Sequence, residues 1–254
     1  MTDTIDLNAD LGESFGSWNM GDDKAMLDIV SSANVACGFH AGDPMVMTDT
    51  VKAARERGVF IGAHPGFDDI RGFGRRRMTG LPVADLRASI IYQIGALQAI
   101  AATEGMKLTH VKLHGALSNM ACEDAEMARI CLQAIQAAMP DIMIVVVATT
   151  QLHRVSEALG YPMAQELFAD RAYADDGNLV SRSLPGAMIH DANEAADRML
   201  RMIDEQALIS ISGKRIPVNP QTICVHGDSQ GAVAMAEVLR NRLENNGIRI
   251  AGFI

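Results

Sequence analysis

Three short runs of this chain alternate an apolar side chain with an ionisable or amide one. They are IDLNAD from Ile5, HVKLH from His110 and ICVHGD from Ile223. Because side chains on a β-strand point alternately to its two faces, each run predicts a strand with one apolar and one polar face. Charged groups are costly to bury unless they have partners. We therefore expect these polar faces, far apart in the sequence, to meet at one shared site.

Strand-like and helix-like patterns alternate along the whole chain, which predicts parallel strands with helices outside them. The longest helical stripe of apolar residues is closed by Gly105 and consists of Leu86, Ile90, Ile94, Leu97 and Ala101. The stretch ISISGKRIPV predicts a hairpin that turns at Ser212–Gly213. Strands are predicted at about 4–9, 32–37, 59–63, 109–113, 142–147, 163–167 and 222–226.

Seven strands in 254 residues favour a closed β/α barrel over an open sheet. Polar residues follow nearly every predicted strand, at the ends where barrel enzymes build their active sites, whereas an open sheet usually binds near one switch point. We therefore expect an α/β fold, a seven-stranded TIM-like barrel that forms a single domain over residues 1–254. The polar residues at the strand ends are Asp10, His40, His64, His114, Asp170, His226 and Asp228.

The composition argues against several classes of protein. The net charge of −9 and the pI near 5.2 contrast with the basic surface typical of nucleic-acid-binding proteins. The longest apolar run, IMIVVVA from Ile142, is too short to span a membrane, and the N-terminus lacks the apolar core of a signal peptide. The four cysteines show no CxxC pairing and suit reduced thiols, so we expect a cytoplasmic protein.

Carboxylates and histidines follow the first three predicted strands. Asp10 and Glu13 lie in DLNADLGES, His40 in CGFHAGDP and His64 in IGAHPGF. Such groups serve acid–base chemistry or bind a metal ion, and the metal ligands would then be Asp10, His40 and His64. Asp6, near the start of the first strand, is predicted to be structural.

Two charged residues, Lys112 and Glu166, fall inside predicted strands. Lys112 faces the same way as His114, and a lysine placed there must pair with a carboxylate or lose its proton. Either outcome is typical of active sites. We expect an ion pair between Glu166 and Lys112 across the barrel, and we expect His110, lower on the same strand, to be packed in the interior.

Cationic residues lie in loops that follow the strands. Arg75 and Arg76, in a glycine-rich loop, could hold a substrate carboxylate through paired hydrogen bonds. Arg171 follows the sixth predicted strand, while His226 and Asp228 follow the last one. The sequence has no GxxxxGK[ST] phosphate loop, no GxGxxG after a strand and no GxSxG elbow.

The chain resembles the LamB/YcsF family. The matching stretches, in the expected order, are DLNADLGESFG, SANVACGFHAGDP, IGAHPGFDD with GFGRR, YQIGALQA, KLHGAL, ELFADRAY and TICVHGD, from residue 6 to about residue 228. One block departs from the family pattern KPHGALYN, because Leu113 and Ser118 replace its proline and tyrosine. The resemblance implies a barrel of the glycoside hydrolase/deacetylase type.

The resemblance also implies an activity. It implies the A subunit of a bacterial 5-oxoprolinase, which opens the lactam of 5-oxo-L-proline to L-glutamate with hydrolysis of ATP. Such a protein works with partner subunits B and C, and ATP with Mg²⁺ would be bound together with those partners, which agrees with the missing phosphate loop. A homo-oligomer is also compatible with the sequence.

These considerations give the expected site. We assign catalysis to Asp10, Glu13, His64, Lys112, His114 and His226. We assign substrate binding to Asn8, Asn34, His40, Arg75, Arg76, Glu166, Arg171 and Asp228. Two alternatives stay open: a metal-dependent deacetylase of N-acetyl sugars that uses the metal ligands named above, and a non-catalytic carrier that delivers lactams to its partners.

Overall fold

Seven parallel strands close into a barrel at the centre of the computed structural model, which describes residues 3–226 and 231–252. Each strand pairs with the next, and the last pairs back to the first. The predicted seven-stranded β/α barrel is therefore confirmed. The barrel strands are β1 (Thr4–Leu11), β2 (Ser32–Ala36), β3 (Phe60–His64), β4 (Leu108–Lys112), β5 (Met143–Val147), β6 (Met163–Phe168) and β9 (Thr222–Cys224).

The barrel closes where β9 pairs with β1. Asp6 on β1 lies opposite Thr222, and Asn8 lies opposite Cys224. Among the described residues, three further strands lie outside the barrel. β7 (Ala207–Ile209) and β8 (Arg215–Pro217) form the predicted antiparallel hairpin, and β10 (Arg249–Ile250) pairs with the start of β1.

Helices surround the barrel and cover its apolar outer face. The predicted stripe on the long helix α3 (Val83–Thr103) is fully confirmed, since all five of its residues are at most 5% exposed. Asp43 caps α2 by accepting hydrogen bonds from the backbone amides of Met45 and Val46. The helices are α1 (Asp23–Leu27), α2 (Pro44–Arg57), α3 (Val83–Thr103), α4 (Gly115–Glu123), α5 (Ala125–Ala138), α6 (Gln151–Leu159), α7 (Ala192–Asp204) and α8 (Ala232–Asn245), with a 3₁₀ turn at Ile70–Gly72.

The inside of the barrel is polar, as the alternating pattern predicts. On β1, Ile5 and Leu7 pack outward into the apolar core, while Asp6 and Asn8 are equally buried but belong to hydrogen-bond networks. Asp6 accepts hydrogen bonds from the hydroxyls of Ser31, Ser32 and Thr222, which confirms its structural role.

In the part of the chain that the structure describes, every helix is too short or too polar to cross a lipid bilayer. The four cysteines, Cys37, Cys122, Cys131 and Cys224, are buried free thiols.

Candidate active site

The carboxyl ends of the barrel strands surround a cavity of about 490 Å³. Eight of the predicted site residues line it: Asp10, Glu13, His64, Arg75, Lys112, His114, Arg171 and His226. The strands and loops that follow them therefore bring together residues more than 200 positions apart. This is the convergence that the alternating runs predict.

Lys112 lies at the bottom of this cavity and is surrounded by acceptors. Its Nζ is 2.8 Å from Glu166 Oε1 and 3.0 Å from both Asp10 Oδ1 and Cys224 Sγ. Burial alone would lower the pKa of Lys112, but the attraction of Asp10, Cys224 and Glu166 outweighs it and holds that pKa well above its usual value. The side chain is therefore a fixed ammonium, and the expected pair with Glu166 is present.

Asn8 and Asn34 form a layer beneath Lys112 and Asp10. Asn34 Nδ2 donates to Asp10 Oδ1 at 2.9 Å and to Asn8 Oδ1 at 2.7 Å. Asn8 Nδ2 donates in turn to Glu166 Oε1 at 3.0 Å. Both amides are fully buried, so they lie below the cavity and orient its carboxylates. His110 is packed in the same layer, as predicted, with its Nε2 2.8 Å from Asn34 Oδ1.

Three histidines form the wall next to Asp10. His64 Nε2 lies 3.0 Å from His114 Nδ1 and 3.3 Å from Asp10 Oδ2. His40 stacks on His114 with the ring centroids 3.6 Å apart and the planes at 5°. Burial, followed by the charge of neighbouring groups, holds the pKa values of His40 and His114 well below the usual range. Attraction to His64 and Lys112 lowers the pKa of Asp10 and keeps it ionised in spite of its burial.

Two glycines make this close packing of histidines feasible. A Cβ on Gly66 would lie 2.8 Å from His40 Nδ1, and a Cβ on Gly74 would lie 2.7 Å from His40 Cβ and 2.8 Å from His114 Cδ2. Gln93 of α3 fixes the first glycine by exchanging hydrogen bonds with its backbone N–H and C=O, both at 2.9 Å. The glycine-rich loops of the sequence therefore serve to seat the imidazole rings.

The cavity also carries positive charge. Arg75, Arg171 and Arg182 all line it. Burial, together with the neighbouring Arg182, lowers the pKa of Arg171 to about 10. His226 donates from Nδ1 to Asp170 Oδ2 at 2.7 Å, and this contact leaves its Nε2 facing Arg182 Nη2 at 3.3 Å. The cavity is thus suited to an anionic group.

Several predicted binding residues do not line the cavity: Asn8, Asn34, His40 and Glu166 are buried behind its lining residues. Arg76 points away from the cavity and forms an ion pair with Asp69, which also accepts a hydrogen bond from the backbone of Gly72. Asp228 lies outside the residues that the structure describes. Of Arg75 and Arg76, the structure brings only Arg75 to the cavity, which Arg77 from the same loop also lines.

Comparisons with known proteins place the chain in a family. The sequence profile of the LamB/YcsF family matches residues 5–254. A protein of Rhodopseudomonas palustris, named as the A subunit of 5-oxoprolinase, is 56% identical over 249 residues, which cover 98% of each chain. The chain belongs to the LamB/YcsF family.

Solved structures agree with this LamB/YcsF assignment. The chain is similar to the lactam utilization protein from Thermus thermophilus, with a TM-score of 0.92 and 42% identity over 98% of this chain and 100% of that one. A family 4 carbohydrate esterase from Streptomyces lividans, solved in complex with acetate, gives a TM-score of 0.50 at 13% identity over 99% of this chain and 92% of that one. At that identity the likeness concerns the fold alone, and it agrees with the predicted deacetylase-type barrel.

The structure adds three residues to the predicted site of this LamB/YcsF protein. Cys224 contacts Lys112, and Arg182 adds a positive charge to the cavity lining. The ring of Phe168 lies 5.1 Å from Lys112 Nζ and stacks on His226. Cys224 shares the polar face of ICVHGD, and Phe168 lies two residues after Glu166 on the same strand face. The alternation of side chains along a strand could therefore have predicted both residues. Arg182 lies in a loop with no periodic signal.

The predicted metal ligands Asp10, His40 and His64 do not all face one another. His64 Nε2 lies near Asp10 Oδ2, as noted, but His40 Nε2 faces Glu13 Oε1 at 3.5 Å. Asp10 is already engaged by Lys112 and Asn34. The donors that surround one point are instead those of Glu13, His40, His64 and His114.

Proposed function

We propose that this chain is the A subunit of an ATP-dependent 5-oxoprolinase and that its cavity opens the lactam of 5-oxo-L-proline to L-glutamate. The name of its Rhodopseudomonas relative and the name of its Thermus structural neighbour support this proposal. The observation that carries it is a single cavity lined both by fixed acid–base groups and by arginines.

Ring opening adds one water across one amide bond. The water oxygen joins the carbonyl carbon, the C–N bond breaks, and the ring nitrogen takes up a proton and leaves as the amine of glutamate. The site must therefore supply a base, a proton donor and positive charge near the carbonyl oxygen. We assign the base to His226, which Asp170 orients and which passes the water proton on to the ring nitrogen. We assign the positive charge to Lys112, which Asp10 holds in place.

The substrate also carries a carboxylate, which needs a cationic partner. Arg75 and Arg171 border the same cavity as the acid–base groups. A guanidinium donates two parallel hydrogen bonds to a carboxylate, which fixes the ring in one orientation as well as binding it. We assign the substrate carboxylate to these two residues.

An unactivated lactam is a poor electrophile, and ATP would activate it by transferring its γ-phosphoryl group to the amide oxygen with release of ADP. After water attack and cleavage of the C–N bond, a second water would release inorganic phosphate and leave the carboxylate of glutamate. The sequence of this chain has no GxxxxGK[ST] loop. We therefore propose that ATP and Mg²⁺ bind with partner subunits B and C, and that water attack on the activated ring takes place in the barrel of this chain. The esterase neighbour shares only the fold, so we propose no deacetylase activity.

Reconstitution tests this function. The protein is mixed with candidate B and C subunits, ATP, Mg²⁺ and 5-oxo-L-proline, and glutamate and ADP are measured while each component is omitted in turn. We expect glutamate only in the complete mixture. Loss of glutamate with His64→Gln, with Arg129→Gln on the exposed face of α5 retaining full activity, would support catalysis in this cavity. Glutamate formation that is independent of this chain would overturn the proposal.

A further inference from the structure

Two histidines at the cavity wall present lone pairs to each other. The backbone carbonyls of Lys112 and Phe73 can only accept, so His64 Nδ1 and His114 Nε2, each 2.8 Å from one of these oxygens, must donate. In neutral rings this leaves His64 Nε2 and His114 Nδ1 as acceptors, and these two atoms are only 3.0 Å apart. The geometry therefore calls for a cation between them, either a proton or a metal ion.

His40 distinguishes the proton from the metal ion. Its ring is 1% exposed, it stacks on His114, and neither of its nitrogens makes a hydrogen bond with the described residues. A proton shared by His64 and His114 satisfies those two rings and leaves His40 as it is. A metal ion can accept a lone pair from His64 and from His114 and, once the His40 ring turns out of its parallel stack on His114, from His40 as well. This removes the cost of burying His40 without a hydrogen bond.

The spacing of the donors fits a single ion. Glu13 Oε1 is 3.7 Å from His114 Nδ1 and 3.5 Å from His40 Nε2, and one donor atom from each of the four residues lies within 4.8 Å of all the others. With metal–ligand bonds of about 2.0–2.2 Å, neighbouring ligands of a tetrahedral ion lie roughly 3.4 Å apart. Three of the six donor–donor distances, 3.0, 3.5 and 3.7 Å, are therefore already close to a coordination distance.

We propose that Glu13, His40, His64 and His114 bind one divalent transition-metal ion. Three imidazoles and one carboxylate suit Zn²⁺ best among the common ions. The carbonyls of Lys112 and Phe73 fix the ring orientations from behind, as outer-shell acceptors do in known metal sites. This set replaces Asp10 of the sequence-based prediction with Glu13 and His114, because Asp10 is held by Lys112.

An ion in this position borders the cavity, since Glu13, His64 and His114 line it. It would supply fixed positive charge next to an amide oxygen of a bound substrate. Metal uptake by these residues does not depend on which amide the protein opens, so the two properties can succeed or fail separately.

Metal uptake by the full chain tests the site directly. The protein is purified without chelator, stripped of metal, and dialysed against Zn²⁺ or Co²⁺ alone, with elemental analysis and, for Co²⁺, visible absorption as readouts. We expect saturation at one ion per chain and the intense visible bands of four-coordinate Co²⁺. A folded wild-type chain that takes up no stoichiometric ion would overturn the proposal.

Variants assign the bound ion to these residues. We expect His40→Gln and His64→Gln each to weaken Co²⁺ binding by more than about 100-fold, beyond what loss of an outer-shell partner costs. The matched control is His190→Gln, which removes an exposed histidine and should bind as wild type does. Far-UV spectra of the metal-free variants check folding, and if one variant is unfolded the other decides. Wild-type affinity in both folded variants would contradict the site.

Discussion

Buried charges in this protein compensate one another at the level of single residues. Lys112, Asp10 and Glu166 are each at most 7% exposed, and the ammonium lies between the two carboxylates. Removing one member of a buried ion pair leaves an uncompensated charge in a dry interior, which costs far more than the pair contributes. The ion pairs that fix Lys112 at the bottom of the cavity therefore also make Lys112 essential for the stability of the fold.

Substituting Lys112→Met should lower the free energy of unfolding by roughly 3–5 kcal/mol, because Asp10 and Glu166 would lose their shared counter-ion. Urea denaturation followed by circular dichroism measures the change. The double variant Lys112→Met/Glu166→Gln should recover part of this loss, since one of the two carboxylates is then neutral, while activity stays absent. A single variant as stable as the wild type would contradict the compensation.

Arg75 and Arg76 are neighbours in sequence but differ in location. In the reconstituted enzyme, Arg75→Gln should raise KM for 5-oxo-L-proline by about 10-fold or more, because a charge-assisted hydrogen bond is lost. Arg76→Gln should leave KM nearly unchanged, because Arg76 pairs with Asp69 away from the cavity. Equal effects of the two variants on KM would show that the cavity does not separate these arginines.

At the level of elements, local patterns were enough to predict the barrel strands, the hairpin and the long helix α3. Helices α1, α4 and α6 have 5, 9 and 9 residues, too few turns for an apolar stripe to stand out in the sequence. The site was predictable where a residue ends a strand, as with His64 and Lys112. Arg182 and the carbonyl of Phe73 lie in loops. The position of a loop depends on long-range packing, which periodic patterns in the sequence do not predict.

Strand β3 illustrates packing that only glycine permits. A Cβ on Gly62 would lie 2.3 Å from the ring of His110 on the neighbouring strand β4. Gly62→Ala should therefore reduce stability by about 1–3 kcal/mol through overpacking. The control is Gly95→Ala in α3, where a Cβ meets nothing within 4 Å and the change should raise stability by about 0.5–1 kcal/mol. Thermal unfolding of both variants measures the contrast, and a stabilised Gly62→Ala protein would refute it.

At the scale of the whole molecule, a chain of polar side chains fills the barrel from one end to the other. At the far end, Asp6 binds Ser31, Ser32 and Thr222. The asparagine layer follows, and Lys112 lies above it at the cavity. Most barrels fill this space with branched apolar residues. Here the strands are joined through their inner side chains as well as their backbones, so the floor of the site is continuous with the framework.

Thr222 joins the last barrel strand to the first. Its hydroxyl donates to Asp6 and accepts from Asn8 Nδ2. Thr222→Val keeps the shape and removes both hydrogen bonds, so the free energy of unfolding should fall by about 1–3 kcal/mol. Thr222→Ser keeps the hydroxyl and should lose much less. Guanidinium denaturation compares the two, and equal losses would show that the missing methyl group rather than the hydroxyl matters.

The polar lumen also limits how such a scaffold can diversify. A side chain on the inner face of a strand has partners on the strands beside it, so changing one of them alone leaves the others with unmet hydrogen bonds. Loops at the rim are joined to the histidines through a backbone carbonyl, such as that of Phe73, which persists whatever side chain the residue carries. New substrate preferences can therefore arise by single substitutions at the rim, whereas the side chains inside the barrel can change only together.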